Sequence, residues 1–402
     1  MHSFVQTIAA LALASVVTAQ QLCNGHASLC SRSYSNITYL GAHNSYAAVP
    51  NSVASNQLVN VTTQLNDGIR LLQNQAHQNN ETGSDGVGIS LCHTSCDLLD
   101  GGTIEEYLTE VVAWLEANPD EVITILWVNS DNLSPSLYAT VYESTNLSAY
   151  TYSPPTSLTT LSDLPTLSSL IGNNTRVITF MDSNADASIV DYILPEWDFV
   201  FETAYDSTDA TFPCDLDRPS GGTSDGKLYL VNHYLDTEII SSVLIPDTAA
   251  LDTTNGYASL QANYEGCYAL YSRPPNFVLL DYYSIPTNGS VFSWVAELNG
   301  VNYTAPTNGL LGGEAQSENT ASGALSWWNQ IATEAGESTI SSVAAAVVTQ
   351  TMSTLVGTRN GSSTSTSWGE VGGRGRSGRE LGLAGTMSLG VVGVVVGVLV
   401  GL

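Results

Sequence analysis

The chain has 402 residues, enough for one large domain or two ordinary ones. Its formal net charge is −28, from 38 acidic and only 10 basic side chains. Such a surface excludes a role in binding nucleic acid and is repelled by anionic membrane surfaces, because phosphate binding depends on Lys and Arg contacts that displace counterions.

Residues 1–19 predict a secretory signal peptide. They hold an apolar core of the right length and end in Val17, Thr18 and Ala19, a small-residue cleavage pattern. Nine N-x-Ser/Thr sequons predict a glycosylated surface, at Asn36, Asn60, Asn80, Asn132, Asn146, Asn173, Asn288, Asn302 and Asn360. Together these signals predict a secreted, extracellular glycoprotein.

Six cysteines in a secreted chain are expected to form disulfides. Proximity along the chain predicts the pairs Cys23–Cys30, Cys92–Cys96 and Cys214–Cys267, although six cysteines allow about fifteen pairings. A zinc site built on Cys92, His93 and Cys96 is an alternative, but no fourth ligand stands out and an oxidising compartment removes thiolates.

Eight short apolar runs, rich in β-forming residues, predict eight strands. They lie at 37–43, 69–75, 89–94, 121–130, 176–182, 199–205, 227–234 and 276–284. Residues 102–121 predict a helix, because Ile104, Leu108, Val111, Val112 and Leu115 recur at helical spacing. Strands that alternate with helices favour an α/β fold with a parallel sheet, here a closed, TIM-like (β/α)₈ barrel. A doubly wound open sheet competes, but no Gly-rich phosphate loop follows the first strand.

The last part of the chain predicts a helix, a spacer and an anchor signal. Residues 323–355 have a helical pattern, and residues 351–377 become a Ser/Thr/Gly-rich linker. Residues 378–402 end in an apolar tail without a basic flank, which favours a GPI-attachment signal over a retained membrane span. The barrel domain is therefore assigned to residues 20–350.

Two histidines follow predicted strands of this barrel. Functional groups collect at the C-terminal ends of barrel strands, so His43 and His93 are candidates for a general base and a general acid. Asp281 ends the last strand, which closes against the first, and is expected to orient the His43 ring. The alternative is that each histidine only bonds a backbone group at a strand end.

Other polar and aromatic residues are predicted to line the mouth of the barrel. His233 ends the seventh strand, and Trp127, Tyr205, Tyr282 and Tyr283 are candidates to stack on a sugar or inositol ring, although core packing is the default for aromatic residues in strands. Four cations begin strands or precede them and predict ion pairs on the opposite face: Arg70, Arg176, Lys227 and Arg273.

Three segments carry a resemblance to a known family: "TYLGAHNSY", "TTQLNDGIRLLQNQAH" and the run from "LCHTSC" to "ILWVN". They resemble the catalytic X region of phosphatidylinositol-specific phospholipase C, and most of all the secreted, GPI-anchored phospholipase-C-like phosphodiesterases of fungi. The resemblance is close over roughly residues 36–130 and looser to about residue 300. It implies a distorted barrel in which His43 deprotonates an attacking hydroxyl, His93 protonates the leaving group and Asp281 is the partner of His43.

The same resemblance shows what differs in this chain. Metal-independent bacterial members carry R-x-x-D-x-R at the second strand, and the last Arg neutralises the phosphate. Calcium-dependent eukaryotic members carry R-x-x-E-x-D and bind the metal with the Asn after the first histidine. Here Asn44 matches the calcium type, whereas Gln73 and Gln75 replace the charges of both types.

These neutral residues leave two expectations for the site. Either Asn44, Gln73 and Gln75 bind the substrate and hold a calcium ion, or the neutralising charge is lost at a cost on the order of 10²–10³ in rate. Two functions follow. One is a phosphoric diester hydrolase acting on a phospholipid head group or a glycerophosphodiester, held at the outer membrane leaflet. The other is a catalytically silent barrel that binds a glycan, polyol or lipid head group.

Overall fold

Twelve strands form one large curled sheet and a separate hairpin in the part of the chain that the computed structural model describes, residues 20–50, 52–79, 88–155, 160–240, 243–305 and 309–310. The strands are β1 (Tyr39–Ala42), β2 (Leu71–Gln78), β3 (Ile89–Cys92), β4 (Asp100–Thr103), β5 (Ile123–Asn129), β6 (Val177–Met181), β7 (Ile193–Pro195), β8 (Val200–Glu202), β9 (Leu228–Asn232), β10 (Asp236–Ile240), β11 (Val243–Pro246) and β12 (Phe277–Leu280). The helices are α1 (Val61–Asp67), α2 (Ile104–Ala117), α3 (Pro135–Ser144), α4 (Leu167–Gly172), α5 (Glu196–Phe199), α6 (Leu251–Thr254), α7 (Tyr257–Tyr271) and α8 (Ser290–Leu298).

Eight parallel strands follow one another in the order β7–β6–β5–β2–β1–β12–β9–β8. β12, the last strand in the sequence, pairs with β1, and Ala42 lies opposite Leu280, as the sequence predicts. The two ends of this order, β7 and β8, are joined directly by the single turn of α5. The fold is therefore α/β, a distorted TIM-like (β/α)₈ barrel.

One of the eight predicted barrel strands is wrong. The predicted strand 89–94 corresponds to β3, which pairs antiparallel with the far end of β2. β2 is eight residues long, and its last residues carry β3, with β4 beyond it, outside the parallel order. The missing parallel strand is β7, whose three residues are too few to show a period. The β10–β11 hairpin is also absent from the prediction.

The predicted helix at 102–121 is confirmed as α2, and its start has a local cause. Thr103 and Glu106 form a capping box, in which the Glu106 amide donates to Thr103 Oγ1 at 3.2 Å and the Thr103 amide donates to the Glu106 carboxylate at 3.2 Å. The predicted apolar face is buried, including Ile104, Leu108 and Val111. Burial of this face fixes α2 against the sheet.

Alternation along the strands separates the two largest clusters of the core. Tyr39, Leu71, Phe277 and Leu279 belong to one cluster, which fills the lumen of the barrel. Their sequence neighbours, such as Leu40 and Leu72, belong to the cluster between sheet and helices. At the C-terminal ends of the strands, the residues that come two positions after these lumen-facing residues therefore project into the mouth of the barrel.

The three predicted disulfides are confirmed as Cys23–Cys30, Cys92–Cys96 and Cys214–Cys267. The zinc alternative at Cys92 and Cys96 is wrong, because both sulfurs are used in a disulfide. The third bridge ties the loop after β8 to α7 and spans 53 residues of sequence.

Replacing Cys214 and Cys267 together by serine is expected to lower the free energy of unfolding by about 4 kcal/mol, because a long loop gains most chain entropy when the bridge is absent. The matched control is the double replacement Cys92→Ser with Cys96→Ser, whose separation is 4 residues and whose expected loss is roughly 2 kcal/mol. Urea unfolding of both variants measures the difference. Equal losses would contradict the loop-length explanation.

Several predictions lie outside the described residues: the signal peptide (1–19), the sequons at Asn80 and Asn360, the helix at 323–355, the linker (351–377) and the GPI signal (378–402). The described residues all fall in the first of the two units into which the chain divides, 1–348 and 349–402. Seven sequon asparagines are described and all are exposed, namely Asn36, Asn60, Asn132, Asn146, Asn173, Asn288 and Asn302. Among the described helices, none combines the length and apolar character needed to cross a membrane.

Candidate active site

His43 and Asp281 lie side by side at the C-terminal ends of β1 and β12, whose register runs up to the residue before each of them. His43 Nδ1 donates to Asp281 Oδ1 at 2.8 Å, and both side chains are buried. Asn56 Nδ2 donates to the same carboxylate oxygen at 2.9 Å. The carboxylate therefore keeps a proton on Nδ1 and leaves Nε2 as the nitrogen that can accept one.

His93 lies against His43 although it follows an antiparallel strand. The two ring centroids are 6.4 Å apart and the rings are nearly perpendicular. The Nδ1 of His93 donates to the Ala54 carbonyl at 2.6 Å, so its working nitrogen is also Nε2. Two imidazoles at this separation are within hydrogen-bond reach of two oxygens of one phosphate.

Tyr234 is a site residue that the sequence analysis missed. Its ring stacks on the His43 ring, with centroids 4.1 Å apart and an angle of 14° between planes. The signal was available in "VNHY", because alternation puts Tyr234 on the same side as Asn232 and turns His233 outward. Gln57 was also missed, and its Nε2 donates to the carbonyls of His43 and Leu280 at 2.8 and 3.0 Å.

The prediction that His233 lines the site is wrong in position. The ring is fully buried on the outer side of the sheet, where Nε2 donates to the Thr254 carbonyl at 2.9 Å and Nδ1 lies 2.8 Å from Asn263 Oδ1. Tyr283 is likewise in the core, and its hydroxyl donates to Asp67 at 2.7 Å. Among the four aromatic candidates, Trp127 and Tyr282 are also buried, and Tyr205 is exposed.

The side-chain oxygens of Gln73 and Gln75 accept hydrogen bonds from backbone amides. Gln73 Oε1 accepts the amide of Asn44 at 2.7 Å, and Gln75 Oε1 accepts the amide of Thr94 at 2.8 Å. These two amides belong to the residues directly after His43 and His93, and both residues have positive φ, 42° and 62°. Side chains other than glycine rarely adopt this conformation without support. The two glutamines thus hold the backbone turns that aim the two histidines.

The same bonds bear on the predicted calcium site. The amide oxygens of Gln73 and Gln75 already accept backbone donors, which leaves Asn44 Oδ1 as the one buried oxygen of the three without a partner. Calcium requires about six to eight oxygen ligands. Within the described ranges, no three His, Cys, Asp or Glu side chains are grouped to hold a metal ion. The residues present do not fit a calcium ion.

The two imidazoles have opposite shifts in pKa. Burial alone lowers the pKa of His43, but the charge and hydrogen bond of Asp281, with smaller contributions from Asp236 and Asp206, raise it above 6.5. Burial lowers the pKa of His93, and the bond to Ala54 does not offset it. Between these two pKa values, the resting site carries its proton on His43.

Asp236 offers a test of this electrostatic environment. Burial, followed by the charge of Asp281, raises the pKa of Asp236 from 3.8 to about 7. The folded protein therefore keeps a proton that the unfolded chain releases, and this group costs stability as the pH rises from about 4 to 7. The unfolding free energy of Asp236→Asn, relative to that of wild type, is expected to rise by on the order of a few kcal/mol across that window. Above pH 7 this difference is expected to stay constant.

Urea unfolding at pH 4, 5.5, 7 and 8 measures this difference. The exposed Asp225→Asn is the matched control, and its stability is expected to run parallel to that of wild type. A constant difference between Asp236→Asn and wild type over the whole range would show that Asp236 does not titrate as its surroundings require.

The fold and the geometry of the site define a TIM-like barrel with two histidines and an aspartate grouped at its mouth. The model of the family PI-PLC X 1 matches residues 29–299. The chain belongs to the PI-PLC X family, and the family resemblance seen in the sequence is confirmed.

Two relatives come from Arthroderma benhamiae. A protein described as an uncharacterized secreted protein is 43% identical over 291 residues, which cover 70% of this chain and 64% of that protein. The match thus spans less than two thirds of that relative. A PI-PLC X domain-containing protein 1 is 41% identical over 300 residues, covering 73% of this chain and 95% of the relative.

Solved structures with a similar chain trace include two bacterial enzymes. The phosphatidylinositol-specific phospholipase C of Listeria monocytogenes is 13% identical, with a TM-score of 0.46. The match covers 67% of this chain and 95% of the Listeria chain. A mutant of the Staphylococcus aureus enzyme is also 13% identical, with a TM-score of 0.48 and coverage of 68% and 95%.

Proposed function

We propose that the protein is a phosphoric diester hydrolase of the phospholipase C type, in which His43 and His93 act as general base and general acid. The observation that carries the proposal is the pair of rings 6.4 Å apart, one of them bonded through Nδ1 to Asp281. A phospholipid head group or a glycerophosphodiester is the proposed substrate class. Membership of the PI-PLC X family supports this class.

The reaction follows from the two Nε2 atoms, and that of His43 lies 3.2 Å from Asn44 Nδ2. Nε2 of His43 takes the proton of an attacking hydroxyl, whose oxygen forms a bond to phosphorus. The bond from phosphorus to the leaving oxygen breaks, and Nε2 of His93 gives its proton to that oxygen. Asp281 stabilises the imidazolium formed on His43. The productive form has neutral His43 and protonated His93, which the pKa shifts make a minor form, so the rate is expected to follow a bell-shaped pH profile.

The test is turnover of the purified secreted protein on a panel of phosphodiesters that includes phosphatidylinositol and glycerophosphodiesters. Each substrate is offered with calcium and with a chelator. Cleavage that is unchanged by the chelator is the expected result, because the site does not fit calcium. Absence of turnover on every substrate would contradict the proposal.

One observation favours a second function, binding of a glycan, polyol or head group without turnover. Gln73 and Gln75 carry no charge and are engaged with backbone amides, so neither neutralises a phosphate. Binding of a polyol such as myo-inositol by a protein that cleaves no phosphodiester is the result that would select this function.

We further propose that the mature protein is N-glycosylated and held outside the cell by a GPI anchor. The exposure of the seven described sequon asparagines supports glycosylation, and the relative described as secreted supports export. A chain truncated after Ser377 is expected to move from the membrane fraction to the medium when expressed in a fungal host. An unchanged distribution would contradict the anchor.

A further inference from the structure

The proposed reaction lacks a positive charge at the position where the resemblance would put one. Phosphoryl transfer requires charge on the non-bridging oxygens to be neutralised, and neither Gln73 nor Gln75 supplies it. The described carboxylates around the site make the need greater, because Asp206 and Asp236 as well as Asp281 act on His43. A cation must therefore come from another element if an anionic phosphate binds here.

Arg218 is held at this end of the barrel by backbone pairing. The Glu202 amide donates to the Arg218 carbonyl at 2.9 Å, and the Arg218 amide donates to the Glu202 carbonyl at 3.3 Å. Glu202 is the last residue of β8, so this bridge fixes Arg218 at the C-terminal end of a barrel strand. Arg218 Nη2 also donates to the Glu202 carboxylate.

The guanidinium of Arg218 keeps unused donors. Its side chain is 28% exposed, and its Nε is buried with no hydrogen-bond partner in the described chain. The ring of Tyr205 lies against one face of the guanidinium at 4.2 Å. An arginine that is stacked and tied by one edge has a fixed plane, which suits a second edge to bind a phosphate in a fork geometry.

Tyr234 relates the position of Arg218 to that of His43. The Tyr234 ring stacks on His43 at 4.1 Å. Burial raises the pKa of Tyr234, and the positive charge of Arg218 acts in the opposite direction, so the guanidinium is within electrostatic reach of this ring. Arg218 is bridged to Glu202 at the end of β8, and β8 pairs with β9, which Tyr234 follows, so Arg218 lies at the same end of the barrel as His43.

The other described cations lie away from the site. Arg70 pairs with Glu121 at 2.7 Å, as predicted for the opposite face. The predicted ion pairs of Arg176, Lys227 and Arg273 are wrong, because these side chains donate to backbone carbonyls, which include Asn118, Trp197 and Lys227 respectively. Arg32 lies near Gly300, beyond α8 and at the start of the barrel rather than its mouth.

We propose that Arg218 binds the non-bridging oxygens of the phosphate, and that the charge absent from positions 73 and 75 is supplied from the loop after β8. This inference rests on the proposed function for its place in the reaction. The ligand class is an oxyanion of a phosphate ester, and inorganic phosphate carries the same chemistry in a form that needs no turnover.

The test measures binding of inorganic phosphate by isothermal titration calorimetry, beside turnover of the best phosphodiester. Arg218→Gln is expected to weaken phosphate binding roughly 10- to 100-fold, the loss of one charge-assisted pair of hydrogen bonds. Arg32→Gln removes the same charge away from the site and is expected to bind within about twofold of wild type. Arg218→Lys keeps the charge without the fork and is expected to recover part of the loss.

Glu202→Gln separates a binding role from a structural one. It removes the carboxylate that competes for Arg218 and is expected to bind phosphate several-fold tighter, whereas a purely structural pair predicts equal or weaker binding. Should Arg218→Gln unfold, the double variant Arg218→Gln with Glu202→Gln removes both members of the ion pair and is measured in its place.

The outcomes for the two proposals are distinct. Phosphate binding that is unchanged in Arg218→Gln, or absent in wild type at millimolar phosphate, would overturn the role of Arg218 whatever the turnover. Absence of turnover in wild type with Arg218-dependent phosphate binding would overturn the proposed hydrolysis and leave the anion site standing. Loss of binding in Arg218→Gln, together with tighter binding in Glu202→Gln, supports the inference.

Discussion

Replacing His43 or His93 by alanine is expected to lower kcat for phosphodiester cleavage by roughly 10²–10⁴-fold, because each variant removes one of the two proton transfers. The effect is expected in kcat rather than in KM, since the proton moves in the transition state and not on binding. Steady-state kinetics on the best substrate from the panel measures it. His77→Ala is the matched control, because His77 of β2 lies beside Asp131, which follows β5, and not against His43 or His93.

The double variant sharpens this result. Two groups that act on one phosphate act as a unit, so His43→Ala combined with His93→Ala is expected to cost little more than the worse single variant. Thermal unfolding of each variant excludes loss of the fold as the cause. Turnover equal to that of wild type in either single variant would show that cleavage does not use this pair.

Replacing Asp281 by asparagine is expected to lower kcat by up to about 10⁴-fold. The amide that takes the place of the carboxylate cannot hold the proton on Nδ1 of His43 in the same way, and the ring then presents a protonated Nε2 that cannot act as a base. The charge that raises the pKa of His43 is lost as well, so that pKa falls.

The pH profile distinguishes this mechanism from a general loss of structure. The alkaline limb of the bell reports the higher of the two pKa values, which belongs to His43, and it is therefore expected to move to lower pH in Asp281→Asn. Asp206→Asn is the control, because Asp206 acts on His43 only as a distant charge. An alkaline limb in the wild-type position would contradict the assigned role of Asp281.

The parts of the fold that the sequence predicts are those with strong local signals. β1 and β12 are apolar runs that end in His43 and Asp281, and parallel closure brings those two ends together. β7 gives no such signal because three residues cannot show a period. The direction of β3 depends on the overhang of β2, a tertiary feature that its own apolar pattern does not encode.

The site was predictable where a strand end determines the position of a side chain. The structure brings His43, His93 and Asp281 together, while their catalytic roles stay a prediction. Alternation continued past the end of β9 predicts Tyr234, and not His233, on the side of the sheet that faces the site. Arg218 lies on an irregular loop after β8, where neither periodicity nor a motif marks it, and its position depends on the backbone bridge and the ion pair with Glu202.

The glutamines of β2 limit how this barrel can change by single substitutions. A glutamate at position 73 has the same length and can still accept the Asn44 amide. An aspartate at position 75 is one methylene shorter and cannot reach the Thr94 amide, so the left-handed turn after His93 loses its support. An acidic pair at these two positions therefore requires compensating changes elsewhere in the same step. Descendants of this sequence are expected to keep the neutral pair, and to diversify instead through the loop that carries Arg218.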